Sequence, residues 1–421
     1  MPSSPVPRTP GRSATPAQRT VNWDLIRVIA VLGVIVGHIT YRGVRNHPEL
    51  AGYPFEFGAQ FGAATLLAVS GYFVCVTIRK GDRATWYRSR LARILPAYLV
   101  AAAVTYVLTR YAVLSFNGWQ AEPGLFGALF GDPVRPQTVE AAGPADWYLP
   151  GTSDLLANLT LTFGWSAELR MLDGSYWTLP VQVMAFTAAA ALWPTRWRGG
   201  KHITALVWGL LVLPFVARLF ILLPEEYLGA VSTGYSATGL WRAYLFAIGV
   251  AIWLWSRDRI STAQLSGLAT CAVGAHALDS EHNLTSALGY AVMLCLICAA
   301  AKGPDWDTPL LTALRRPIAW LAGISFGVYL VHQHLGYLLA RVLVDAGVPA
   351  VPRMVLITVA AVVAGWLLTE LVERPAHRFL TGGRRQRATA RSWQKTPEQE
   401  LDDLVKELPG KPRPVSVGGA S

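Results

Sequence analysis

Charge is what this 421-residue sequence has least of: Asp, Glu, Lys and Arg together make up 15% of it, where a soluble domain carries about 25%. With a 52% hydrophobic content and 16 tryptophans, that shortage excludes an ordinary soluble protein and points to a chain crossing a bilayer repeatedly. Cysteine is scarce as well. Cys75, Cys271, Cys295 and Cys298 all lie in apolar runs, which reads as buried thiols and excludes a disulfide framework. Cys295 and Cys298 form a C-x-x-C with no second pair and no nearby histidines, so no metal is expected. Internal repeats are missing, which removes the usual signature of an inverted-repeat transporter. No cleavable signal is expected either, because MPSSPVPRTPGRSATPAQRT is too long and polar to be an n-region.

What is present is a series of ten apolar stretches. They run Leu25–Tyr41, Phe57–Ile78, Ile94–Leu114, Tyr176–Leu192, Ile203–Leu223, Gly239–Trp255, Ile260–Leu278, Leu284–Ala301, Ile318–Val331 and Arg353–Leu371. Placing the N-terminus inside puts 28 of the 37 Lys and Arg residues in the tails and cytoplasmic segments, as the positive-inside rule requires. The net charge of +11 therefore reflects topology, and nucleic-acid binding is not expected. The expectation is an all-α integral membrane protein of about ten transmembrane helices in a lipid bilayer, with cytoplasmic N- and C-termini. Residues 1–22 and 381–421 form tails, and 23–380 the membrane domain. The longest outside segment, Ser115–Ser175, is rich in Trp, Gly, Pro and acids. Its SDLLANLTLTF portion is expected to lie along or dip into the interface.

Within the first stretch, RVIAVLGVIVGH carries Arg27 and His38 with ten apolar or glycine residues between them. Eleven residues turn a helix through about three turns plus 20°, so the two side chains share a face about 16 Å apart along the axis. Asp24 lies near the same face and can pair with Arg27. Gly33 and Gly37 form a G-x-x-x-G where a neighbouring helix could approach. Arg27 alone reads as a positive-inside anchor, and His38 alone as either a satisfied buried histidine or a functional one. Together they describe one cavity wall with a cation at its cytoplasmic mouth and a candidate general base near its middle. A long ligand with an anionic head and a reactive far end fits that geometry.

The chain resembles acyltransferase family 3, the integral-membrane O-acyltransferases of bacteria, over about Trp23 to Leu380. The resemblance rests on the Arg27–His38 spacing and on motifs that follow in order: LLAVSGYFV (Leu66–Val74), RLARILPAY (Arg90–Tyr98), GSYWTLPVQ (Gly174–Gln182), ISFGVYLVH (Ile324–His332) and VERP (Val372–Pro375). It implies an acyltransferase in the bacterial inner membrane that takes an acyl group, acetyl above all, from acyl-CoA. Its helices would surround an acyl-CoA-binding cavity. The acceptor would be a hydroxyl on a cell-surface glycan or on a glycosylated small metabolite.

The implied donor-binding residues are Arg27, Arg90 and Arg93, whose planar forks suit phosphate. His38 would be catalytic, either as general base or as carrier of the acyl group. Trp177, Gln182, Tyr329 and His332 would contact substrate, with Asp24 and Glu373 as charge partners. One position departs from the family: Gln182 stands where glutamate is usual. An amide cannot accept the proton a carboxylate would, so Asp24, Asp173 or Glu373 would have to serve, or the chain would be an inactive relative. The rival from another class is an exporter of acylated or glycosylated products with a histidine proton relay. Arg218 and Arg242 read equally as cavity-lining or snorkelling side chains, and His276, His282 and His334 as interface or loop histidines.

Overall fold

A computed structural model of the chain describes residues 21–78, 82–135, 146–192, 201–220 and 229–382. The tails expected at 1–22 and 381–421 lie outside these residues except at their inner ends. The same holds for the loop bases Arg79, Lys80, Arg196 and Arg198.

The first helix, α1 (Val21–Gly37), runs through a π turn (His38–Arg42) into α2 (Gly43–Asn46). Next come α3 (Gly62–Thr77) and α4 (Arg83–Phe116). Two short helices, α5 (Gly124–Phe130) and α6 (Thr152–Leu159), precede α7 (Thr178–Leu192). Beyond them lie α8 (Lys201–Phe220), α9 (Gly229–Ala237), α10 (Ala243–Ser256), α11 (Thr262–Asp279) and α12 (Leu284–Lys302). The chain continues with α13 (Pro309–Ala313), α14 (Arg315–Val331), α15 (His334–Asp345) and α16 (Ala350–Leu368), and α16 enters a second π turn at Thr369–Glu373. The described residues contain no strand; Gln120 and Val134 form an isolated bridge.

A helix occupies each of the ten apolar stretches, but length divides them. Among the described residues, Val21–Asn46, Arg83–Phe116, His202–Phe220, Leu284–Lys302 and Ala350–Gly382 are long and apolar enough to cross a membrane, and the pair Val231–Ala237 and Leu240–Ser256, bent by 60°, makes a sixth if taken together. The chain is thus a multi-pass, all-α membrane protein with five or six spans by that criterion, against the ten expected. Several other helices are shortened by breaks. α3 is apolar but only 16 residues long, below the roughly 20 that a perpendicular span needs. α14 stops at Val331, and α15 restarts the helix only at His334.

Local chemistry sets the helix starts. The Asp82 carboxylate accepts the Thr85 N–H at 2.9 Å, capping α4, so the helix begins well before Ile94 and carries Arg90 and Arg93 on its first turns. Ser261 and Gln264 form a capping box at α11, and Asn283 accepts from Ser286 N–H at the start of α12.

Close helix packing is made by small residues. α3 and α10 meet backbone to backbone, where Gly71 faces the Phe246 carbonyl and Gly249 faces the Ala68 carbonyl. Gly327 of α14 and Gly365 of α16 do the same for each other's helices. The glycines of the expected G-x-x-x-G are used differently. Gly33 faces the Phe61 ring and Gly37 faces the Phe57 carbonyl, so the approach is made by the segment leading into α3 rather than by a crossing helix.

Two buried arginines hold the loops at the end of the molecule opposite Arg27. Arg110 donates to the carbonyls of Ala128, Pro150 and Gly131. Arg353 donates to the Leu50 and Ala51 carbonyls, each at 2.8 Å, and to the Tyr53 hydroxyl at 3.1 Å. Arg353→Met keeps the volume but leaves both carbonyls without that donor. We expect a loss of about 2–3 kcal/mol, read as a lower unfolding midpoint in detergent together with faster proteolysis between residues 47 and 61. An unchanged midpoint would mean that these bonds contribute nothing net.

Candidate active site

Four arginines converge on one hollow. A cavity of about 440 Å³ is lined by Arg27, Arg90, Arg93 and Arg374, together with Ser70, Thr178, Gln182 and Tyr329. A neighbouring hollow of about 660 Å³ shares Arg90, Arg93 and Arg374 and adds His377 and Arg378. Each arginine is oriented by a partner. Arg27 pairs with buried Asp24 at 3.4 Å and lies over the Phe73 ring at 5.1 Å. Arg90 donates to the Thr77 hydroxyl at 2.6 Å, which also accepts the Trp86 indole N–H at 3.0 Å. Arg93 gives its Nε–H to Glu373 at 3.1 Å, and Arg374 pairs with Glu370. Glu373 closes the second π turn. The wider π spacing resets the helical phase there, a device common at functional sites.

His38 opens the first π turn and lines a separate cavity of about 350 Å³, shared with Arg42, Trp177, Trp241, Arg242, Asp279 and Gln333 among others. Ala63 borders both the arginine cavity and this one. His38 Nδ1 lies 3.3 Å from the Tyr337 hydroxyl, a contact that does not involve Nε2. The His332 ring stands edge-on to His38, with centroids 5.0 Å apart, and lies 5.5 Å from the Tyr329 ring. His332 Nδ1 lies 2.8 Å from the Tyr329 carbonyl. A carbonyl can only accept, so Nδ1 carries the proton and Nε2 is a lone pair. That Nε2 is buried without a hydrogen-bond partner among the described residues.

Just beyond this site, His47 stacks on Trp147 with centroids 3.6 Å apart. Burial lowers its pKa, against the opposing pull of Glu49.

The site residues expected from sequence are therefore distributed rather than gathered on one wall. Arg27, Arg90, Arg93, Gln182 and Tyr329 line the arginine cavity, His38 and Trp177 line the other, and His332 lies between. Arg27 on α1 and His38 in the π turn that continues it belong to one helical run, but they line different hollows. Asp24 and Glu373 are the charge partners of Arg27 and Arg93. The Tyr329 hydroxyl donates to the Ser175 carbonyl, and the Ser175 hydroxyl donates back to the Tyr329 carbonyl.

None of the carboxylates that could replace a glutamate at position 182 stands open. Asp24 and Glu373 hold arginines, and Asp173 accepts the backbone N–H groups of Ser175 and His334 at 2.7 and 2.8 Å. The Gln182 amide still lines the arginine cavity. Of the histidines read as interface or loop, His276 is buried on α11 against Tyr290, centroids 4.7 Å apart. His334 starts α15, and His282 sits in a turn at φ 61°.

Tyr337 and Arg374 were not legible as site residues. Tyr337 belongs to α15, whose apolar spacing follows the break at His332–Gln333. Arg374 reads as one base among many at a helix end.

No curated protein and no solved structure gives a significant match to the chain. The family model described as an acyltransferase domain matches residues 20–370, a range that contains every residue expected for the site except Glu373. The chain belongs to acyltransferase family 3.

Proposed function

We propose that this acyltransferase takes an acyl group, acetyl in the simplest case, from acyl-CoA in the arginine cavity and places it on a hydroxyl of a sugar-containing acceptor in the His38 cavity. The acceptor is a cell-surface glycan or a glycosylated small metabolite. The chain would sit in the bacterial inner membrane with both termini cytoplasmic, the shorter helices completing about ten spans.

The observation that carries this reading is the pair of hollows of different chemistry that share Ala63, one of them lined by His38. One offers guanidinium forks for the donor's phosphates. The other offers an imidazole edge and indole walls. Arg27 and His38 lie about 16 Å apart along α1, and the donor's phosphates and thioester lie at the two ends of a long flexible arm.

Chemically, His38 Nε2 takes the proton of the acceptor hydroxyl as that oxygen attacks the thioester carbonyl. The carbon–sulfur bond breaks, the ester remains on the acceptor, and the proton passes to the departing thiolate. The Tyr337 hydroxyl holds the ring by Nδ1. The same geometry serves a covalent acyl-His38 intermediate, which acyl label retained on denatured protein distinguishes.

The test uses sealed vesicles with labelled acetyl-CoA on the arginine side, following thiol release and label transfer. Saturable release is expected. In Arg374→Gln, a change at an exposed position just after the second π turn, KM for acetyl-CoA should rise about tenfold with kcat little changed, as for lost uniform binding. Failure of acetyl-CoA and longer acyl-CoAs alike to release thiol would end this reading and favour the exporter.

A further inference from the structure

Arg242 is held in a way that the transfer step does not explain. Its guanidinium carbon lies 3.7 Å from the Trp177 ring centroid and 3.8 Å from that of Trp241. Two indole faces thus clamp the planar cation. Its N–H donors lie in its plane and cannot be satisfied by those faces. Among the described residues Arg242 makes no hydrogen bond and no ion pair within 4 Å, although it lines the same cavity as His38.

The rest of the lining adds to this. Arg42 gives one amine to Gln60 at 3.1 Å and has Glu281 at 4.0 Å. Asp279 accepts the Tyr244 hydroxyl at 2.7 Å and attracts Arg242 only from beyond ion-pair distance. Two guanidinium groups therefore face the cavity against one lining carboxylate. A cation clamped in a cavity without a contacting anion is costly, and a rigid fork is the donor geometry that carboxylate and phosphate match.

We propose that the acceptor bears an oxyanion, a carboxylate or a phosphate on its sugar, and that Arg242 binds that group while His38 addresses the hydroxyl. This rests on the reading of the His38 cavity as the acceptor site. It narrows the acceptor to acidic glycans or phosphorylated sugars and makes Arg242 the specificity residue.

The test compares three tetrasaccharides of one linkage: neutral, uronic-acid-containing and phosphorylated, each with saturating acetyl-CoA and the full chain in vesicles. At least one anionic form should be acylated with kcat/KM ten or more times that of the neutral form, and the preferred arm tells carboxylate from phosphate. Arg242→Gln should lower kcat/KM for that acceptor about 10- to 100-fold while changing kcat/KM for the neutral form much less. Arg242→Lys should recover charge but only part of the preference. Equal use of the neutral and anionic forms, no turnover of either anionic form, or an equal loss for all three in Arg242→Gln would overturn the proposal. His38-dependent thiol release persisting alongside any of these results would leave the transferase reading standing, so the two fail separately.

Discussion

A His38→Ala protein is expected to reach the membrane at wild-type levels, to keep its KM for acyl-CoA, and to lose transfer by about 10²–10⁴-fold. Each part follows from a different feature. The fold should survive because His38 is only partly buried and makes one long side-chain hydrogen bond, 3.3 Å to Tyr337, worth about 1 kcal/mol at most. Donor affinity should survive because the arginines proposed to hold phosphate line another cavity. The rate falls because no carboxylate stands in for the base: Asp24, Asp173 and Glu373 are all engaged elsewhere, and position 182 is an amide. His332 keeps an Nε2 lone pair, its Nδ1–H being held on the Tyr329 carbonyl, but it does not line the cavity that His38 lines. Retention of more than a tenth of the wild-type rate would remove His38 from the chemistry and direct attention to His332.

The second large effect concerns packing. Gly249→Ala adds one methyl group to α10 where the Ala68 carbonyl and the Tyr72 amide of α3 already touch the glycine. A backbone cannot retreat as a side chain tip can, so the two helices must separate along their length. Overpacking at such a point costs about 3 kcal/mol, and in a helix pair joined by small residues it removes the contact that associates them. Gly209→Ala on α8 is the matched control, because nothing lies within 4 Å of its added carbon. There alanine should be neutral, or stabilising by about 1 kcal/mol through helix propensity. Thermal unfolding in detergent should therefore move in opposite directions, or in one direction only, for two chemically identical changes. Similar midpoints for both proteins would contradict the backbone-to-backbone contact.

The sequence made the membrane class and the positions of the helices legible, because both depend on composition and runs. The Asp24–Arg27 pair was legible too, being set by helical spacing alone. What depends on chain geometry beyond one helix was not. The shared face of Arg27 and His38 is a property of α1, but which hollow each lines depends on the segment Phe57–Phe61, which packs along Gly33 and Gly37. The π turns at His38–Arg42 and Thr369–Glu373 leave no mark in residue type, yet they bear two of the residues that matter. Tyr337 lies 299 residues from His38 and Trp177 lies 65 residues from Arg242, distances over which spacing carries no information. The amide at Gln182 was visible in the sequence, and the structure places it on the arginine cavity. The occupation of the alternative carboxylates could be seen only once their partners were placed.

The strip of packed side chains dividing the two hollows bears on the energetics of the cell as well as on the reaction. A continuous wet path through a membrane protein conducts, and each elementary charge that falls through 100 mV dissipates about 2.3 kcal/mol. Here Ala63 borders both hollows while the Tyr329, His332 and His38 rings succeed one another at 5.5 and 5.0 Å. On the reading proposed above, an acyl group can be passed across that strip while protons and ions are held back. The catalytic rings would then double as electrical insulation, so that acylation proceeds without draining the proton-motive force.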